Sequence, residues 1–159
     1  MATTFKEFFV AERAKALTQV IVTRREDLAI KEIKEDGTFD YFLCIRRENS
    51  YDLCRIGLVV KAAMTFGAQD ETSSQLKETA ERIYKIGSCS FPVVLFYFTA
   101  KDDRGFFAWI WEPEIDESGT PKLSFQSSPS LRDLNDKSLD EIVNTSEQWY
   151  DAVHMTLTK

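Results

Sequence analysis

The run PVVLFYF, from Pro92 to Phe98, constrains the fold of this chain more than any other segment. Its residues are apolar at both odd and even positions, so both faces of a strand built from it have to be covered. It therefore predicts a central strand in a sheet that carries helices on both sides. A chain of 159 residues with 43% hydrophobic residues can supply one such core, and we expect a single domain over residues 1–159.

Three strand-like segments before this run are predicted to form an antiparallel meander. They are Leu28 to Ile33, Phe39 to Arg46 and Arg55 to Ala62. Asp36-Gly37 indicates a hairpin between the first two, because both residue types tolerate positive φ. Alternation along the second segment places one set of side chains on a common face, namely Phe39, Tyr41, Leu43 and Ile45.

Helical patterns occur at three places. The first runs from Phe5 to about Ile21, with Thr3 or Thr4 as its cap, and the others begin near Thr72 and Ser138, each followed by Gln or Glu three positions later. In the first helix one face carries several aromatic side chains, which predicts that this face is buried. Its members are Phe5, Phe8, Phe9, Glu12, Ala16 and Val20. We therefore expect Glu12 to point toward the core. A second apolar stripe, formed by Val10, Leu17 and Ile21, predicts that the helix is buried broadly.

Two strands, Phe106 to Trp111 and Lys122 to Gln126, complete the pattern before the last helix. Trp109 and Trp111 are two positions apart, so both are expected on one sheet face, where they either stack on a base or pack beneath a helix. The order of elements predicts an α/β sandwich with a mixed sheet. Its core covers residues 5 to about 113, and residues 114–159 add a C-terminal strand and helix.

Charge and cysteine content narrow the classes of function. The net charge of -6 argues against general binding to a phosphate backbone, although it leaves room for a local basic patch. Cys44, Cys54 and Cys89 are an odd number, mostly within apolar runs, which favours a reducing, cytoplasmic location. We expect neither a signal peptide at the N-terminus nor a membrane-spanning segment.

Three charged residues are the candidate catalytic group. Asp40 begins the second strand, Lys61 ends the third, and Glu12 lies on the first helix, so the predicted topology can bring all three to one end of the sheet. Such a group suits metal-assisted phosphodiester hydrolysis, with Asp40 and Glu12 binding Mg²⁺ or Mn²⁺ and Lys61 activating water or offsetting charge. Each residue also has a structural explanation. Lys61 can be a lysine at the end of a strand, and Asp40 can be a polar residue after a hairpin turn. Glu12 can form a buried or half-buried ion pair with a basic side chain.

Four short motifs occur in a characteristic order. They are Thr38-Phe39-Asp40, Val59-Val60-Lys61, Phe91-Pro92-Val93-Val94 and Ala108-Trp109. In this order the chain resembles the PD-(D/E)xK nuclease-like superfamily, and within it most closely the 4365 family of domains of unknown function. The resemblance implies a restriction-endonuclease-like sandwich and nucleic-acid processing. It also implies an acidic residue or Gln two positions before the lysine, where this chain has Val59.

Because Val59 offers no ligand atom, two hypotheses follow. The first is a metal-dependent nuclease of low or no activity acting on DNA or RNA, in which Glu12 fills the vacant position. The second is a non-catalytic protein-interaction module that has kept the scaffold, with another protein or a second copy of the chain as its partner. A small-molecule binding protein of unrelated fold is a third possibility, which predicts an enclosed apolar pocket far from Asp40 and Lys61.

Overall fold

A computed structural model describes residues 4–34, 37–47, 50–67, 69–87 and 90–157 of the chain. It has three helices, α1 (Phe5–Thr23), α2 (Gln69–Lys85) and α3 (Asp136–Leu157). Its strands are β1 (Leu28–Glu32), β2 (Tyr41–Arg47), β3 (Ser50–Ala63), β4 (Val93–Thr99), β5 (Arg104–Ile115), β6 (Pro121–Phe125) and β7 (Arg132–Asp133). The predicted α/β architecture with a mixed sheet is confirmed.

The sheet has the strand order β1-β2-β3-β4-β5-β6, with β7 added beside β5. The meander from β1 to β3 is antiparallel, as predicted, and β3 pairs with β4 in parallel through the α2 crossover. Strands β5 and β6 then continue antiparallel. Every residue of β4 is buried, so PVVLFYF is the central strand that its apolar pattern predicts.

Two apolar cores lie on opposite faces of the sheet. One core is formed with α1 and α3 and includes Ala14, Val22, Leu139, Ile142 and Val143. The other is formed with α2 and includes Leu76, Ala80 and Ile83. The molecule is therefore a three-layer sandwich, with α1 and α3 on one side of the sheet and α2 on the other.

The buried face of α1 differs from the predicted one. The helix begins at Phe5 after a capping box between Thr4 and Glu7, but its aromatic side chains face outward. The exposed residues are Phe5, Phe8, Phe9 and Val20, and the buried ones are Val10, Ala14, Thr18 and Val22. The buried set repeats every four residues and is small, which lets the helix backbone lie close to the sheet. The prediction that Glu12 faces the core was therefore wrong.

The two tryptophans of β5 also lie differently from the prediction. Val94 pairs with Trp109 and Val93 with Trp111, so Ile110 is an extra residue in a bulge. A bulge reverses the alternation of side chains. Trp109 consequently packs on the α1 and α3 face, whereas Trp111 packs on the α2 face.

The starts of α2 and α3 differ from the prediction by a few residues. α2 begins at Gln69 rather than near Thr72, and the reciprocal capping pair at the start of α3 joins Asn135 to Ser138. Gly37 (φ 68°) and Gly87 (φ 108°) have the positive angles expected of a turn and a helix end. Asp36, which was predicted to share the hairpin turn with Gly37, lies outside the described residues.

Cys54 is buried and Cys44 half-buried within the meander, as predicted, while Cys89 lies outside the described residues. Over the described ranges, no helix has both the length and the apolar character that crossing a bilayer requires.

Candidate functional site at the end of strand β3

Asp40 lies immediately before β2, where the pairing between β2 and β3 ends. The last pair in the register is Tyr41 with Leu58, so one step further brings Asp40 beside Val59 and Val60. The N–H of Asp40 donates to the Leu58 carbonyl at 2.9 Å, and the Asp40 carboxylate accepts from the Val60 N–H at 2.7 Å. The side chain thus replaces the backbone acceptor that β2 no longer supplies.

Lys61 lies near the end of β3, on the sheet face that α2 covers. Its side chain shares a cleft of about 380 Å³ with residues of that helix, namely Gln75, Glu78, Thr79, Glu81, Arg82 and Lys85. Burial lowers the pKa of Lys61, the positive charge of Arg82 lowers it further, and the charges of Asp40 and Glu78 oppose this. Among the described residues the Lys61 ammonium forms no ion pair. Lys61 is therefore a half-buried cation that lies near both acidic and basic groups and, among the described residues, has no close ion-pair partner.

Val59 is 1% exposed and packs in the α2-side core, where it lies opposite Leu95 of β4. An oxygen ligand would be needed at this position to complete the site that the family resemblance implies. The side chain instead contributes to the apolar core, so position 59 offers no side-chain oxygen as a ligand.

Glu12 does not line a cleft with either of the other two candidate residues. Its side chain is 54% exposed and lies 3.8 Å from the Lys15 ammonium, one helical turn away. This is the solvated side of α1, because the helix buries Val10 and Ala14 instead. The structure therefore brings Asp40 and Lys61 together and leaves Glu12 outside.

A second cleft, of about 410 Å³, lies between α1 and the end of β3. Both Asp40 and Lys61 line it, so it is continuous with the predicted site. Its other lining residues are Lys6, Glu7, Val10, Ala11, Ala14, Lys15, Val60, Ala62, Ala63 and Met64. Most of these are small or apolar, and we call this space the edge cleft.

The residues of this region do not fit the predicted divalent metal. Within the described part of the chain, no three or more His, Cys, Asp or Glu side chains are grouped closely enough to hold an ion. The Asp40 carboxylate is bound to the Val60 N–H, and Glu7, the other carboxylate of the edge cleft, accepts from the Thr4 N–H at 3.0 Å. Mg²⁺ relies on a few well-placed carboxylates, and both carboxylates of the edge cleft already accept a backbone hydrogen bond.

Sequence reasoning missed Arg82 and Ala11, which contact the same region from α2 and α1. Arg82 is one of several charged residues on an amphipathic helix, and nothing in its local pattern distinguishes it. Ala11 is inconspicuous beside the neighbouring phenylalanines. The four-residue spacing of Val10, Ala14 and Thr18 was the signal that could have identified this side of α1 as the one facing the sheet.

Comparison of the chain with protein-family models, with curated proteins and with solved structures finds no match in any of the three. The nuclease-like resemblance therefore stays a proposal.

Proposed function

We propose that this chain is a restriction-endonuclease-like domain that works as a non-catalytic protein-interaction module. The observation that carries the proposal is Val59, which is 1% exposed and apolar where the resemblance implies a ligand. The exposed position of Glu12 supports it further, because Glu12 then does not take the place of the missing ligand. The scaffold would then have kept its shape and lost the chemistry for which that shape was used.

The nuclease-like part of the proposal is supported by topology. The order helix, three-strand meander, crossover helix and parallel β4 places Asp40 beside the Val59-Val60-Lys61 segment. This is the juxtaposition that the motif order implies. We also propose a reducing, cytoplasmic setting, supported by the buried thiol of Cys54 and the half-buried thiol of Cys44.

Metal titration by calorimetry tests the loss of the metal site. We expect no specific binding of Mg²⁺ or Mn²⁺ at millimolar concentration, and no difference between the wild type and the Asp40→Ala variant. Saturable heat that disappears in Asp40→Ala would overturn the proposal, since it would show that Asp40 holds an ion.

A second candidate is a divalent-metal-dependent nuclease that uses Mg²⁺ or Mn²⁺. The observation that favours it is that Asp40 and Lys61 line one cleft. Its test is cleavage of DNA and RNA by the wild type, Asp40→Ala and Lys61→Ala. A rate about a hundredfold lower in both variants would support the enzyme. Equal residual rates in all three proteins would indicate a contaminant and favour the module.

A further inference from the structure

Strand β3 extends beyond its neighbour β2. Pairing with β2 ends at Leu58, whereas pairing with β4 continues to Ala63. In the described part of the chain, residues 59–63 therefore have a neighbouring strand on one side only. A strand edge of this kind presents backbone donors and acceptors to any further strand.

The direction of these backbone groups follows from one hydrogen bond. The Val60 N–H points away from β4, because it donates to the Asp40 carboxylate. Residues two apart in a strand direct their N–H and C=O groups to the same side. The Val60 carbonyl and both the N–H and the C=O of Ala62 consequently face the free edge. The Asp40 carboxylate satisfies only the N–H of Val60.

The two sides of this edge differ in chemistry. On the α1 side lies the edge cleft, whose floor is formed by the small apolar residues Val10, Ala11, Ala14, Val60 and Ala62. On the α2 side lies the Lys61 ammonium, in a cleft lined by the basic Arg82 and Lys85 and by the acidic Glu78 and Glu81. A strand added at this edge would alternate its side chains between these two environments.

We propose that the free edge of β3 binds an extended segment of a partner protein as an added strand, in which small apolar residues facing α1 alternate with acidic residues facing Lys61. The proposal rests on the proposed function as an interaction module and identifies where and how the partner binds. Backbone hydrogen bonds to Val60 and Ala62 supply affinity, and the alternating side chains supply specificity. The acidic residues would give the Lys61 ammonium a close ion-pair partner, which it does not have among the described residues.

The test uses a displayed library of random octapeptides, selected on the full chain. Counter-selection uses Ala11→Phe, which fills the edge cleft from an exposed helix position. The matched control is Ala16→Phe, which adds the same ring to α1 at an exposed position outside the cleft. We expect enriched peptides with alternating small apolar and acidic residues that bind the wild type and Ala16→Phe equally.

Substitutions at Ala11 and Lys61 test how much each side of the edge contributes to peptide affinity. Binding of these peptides, measured by fluorescence anisotropy, should weaken about tenfold or more in Ala11→Phe and in Lys61→Met. Lys77→Met, an exposed lysine of α2 outside both clefts, should leave binding unchanged. Melting temperatures and circular dichroism compare Ala11→Phe with Ala16→Phe, and Lys61→Met gives an independent result if the filled cleft disturbs folding.

Backbone methylation distinguishes strand addition from other modes of binding. N-methylation of alternate peptide residues should weaken binding about tenfold in one alternation and little in the other, because only one set of N–H groups faces β3. Amide exchange at Ala62 should slow in the complex. Equal effects of the two methylation patterns, or failure to enrich any peptide that prefers the wild type to Ala11→Phe, would overturn the proposal.

Failure of this proposal can be distinguished from failure of the proposed function. Peptides that bind Ala11→Phe and the wild type equally would contradict the strand-edge site but remain compatible with an interaction module. Metal-dependent cleavage that is lost in Asp40→Ala would contradict the interaction module itself. Binding of single-stranded DNA or RNA to this edge in place of peptides would contradict the proposed occupant.

Discussion

The Asp40 carboxylate accepts a hydrogen bond of 2.7 Å from the Val60 N–H, joining the start of β2 to the part of β3 that β2 no longer covers. Asp40, which the sequence predicts to be a metal ligand, thus has a structural role. The bond uses a carboxylate lone pair and ends the ladder between the two strands. The same bond establishes which backbone groups of β3 remain free.

Removing this acceptor should destabilise the fold. We expect Asp40→Ala to lower the free energy of unfolding by about 1–3 kcal/mol, because the half-buried Val60 N–H loses its partner. Asp40→Asn keeps an oxygen at the same position and should cost less. Urea denaturation of the three proteins measures both effects, and equal losses in the two variants would contradict the role given to the carboxylate.

The sequence predicted the sheet well because strand pairing follows from local patterns. PVVLFYF has no polar face, so only a central position suits it. The face of α1 that is buried could not be predicted in the same way, since the helix has more than one apolar stripe. The buried face is the one with small side chains, because these allow the helix to lie close to the sheet. The bulge at Ile110, which moves Trp111 to the opposite face, likewise depends on the register of β4 and β5 rather than on its own sequence.

The candidate site was predicted in part for a related reason. Asp40 and Lys61 lie on neighbouring strands, so the order of elements was enough to bring them to one end of the sheet. Glu12 depended on the rotation of a helix about its axis, which the sequence left ambiguous. Arg82 depended on where α2 crosses the sheet, for which the chain carries no local signal.

Substitutions on α1 test its rotation directly. Phe8 is 59% exposed and Val22 is 0% exposed, although the sequence suggested that the aromatic side was buried. Phe8→Ala should change the free energy of unfolding by less than about 0.5 kcal/mol, whereas Val22→Ala should cost about 2 kcal/mol. Chemical denaturation compares them, and a larger cost at Phe8 would restore the predicted orientation.

Introducing a carboxylate at Val59 tests the nuclease-like ancestry. Val59→Glu places a charge in the α2-side core and should lower the free energy of unfolding by about 2 kcal/mol or more. If the scaffold is restriction-endonuclease-like, the introduced carboxylate and that of Asp40 would lie side by side, and millimolar Mn²⁺ should recover part of the loss by binding the folded state. Val59→Gln is the uncharged control. Recovery that is absent, or equal in Val59→Gln, would count against the inherited geometry.

Lys61 should make stability depend on alkaline pH. Burial and Arg82 lower its pKa in the folded protein below the ordinary value of 10.5, against the opposing charges of Asp40 and Glu78. Between the two pKa values the unfolded chain binds more protons than the folded one, so this contribution to stability rises with pH in that window. Burying the charged form of Lys61 destabilises the folded state. This destabilisation is fully present below the pKa of Lys61 in the folded protein and disappears as the pH approaches 10.5.

Lys61→Met removes this destabilisation along with the charge. We expect its stability advantage over the wild type to be largest near neutral pH and to shrink as the pH rises toward 10.5. Other ionisable groups that line a cleft with Lys61 are Glu81 and Lys85 of α2 and Lys6, Glu7 and Lys15 of α1, and the wild type and Lys61→Met share all of them. Urea denaturation across this range provides the measurement, with Lys77→Met as the exposed control. An advantage that stays constant with pH would show that burial and Arg82 do not lower the pKa of Lys61 in the folded protein.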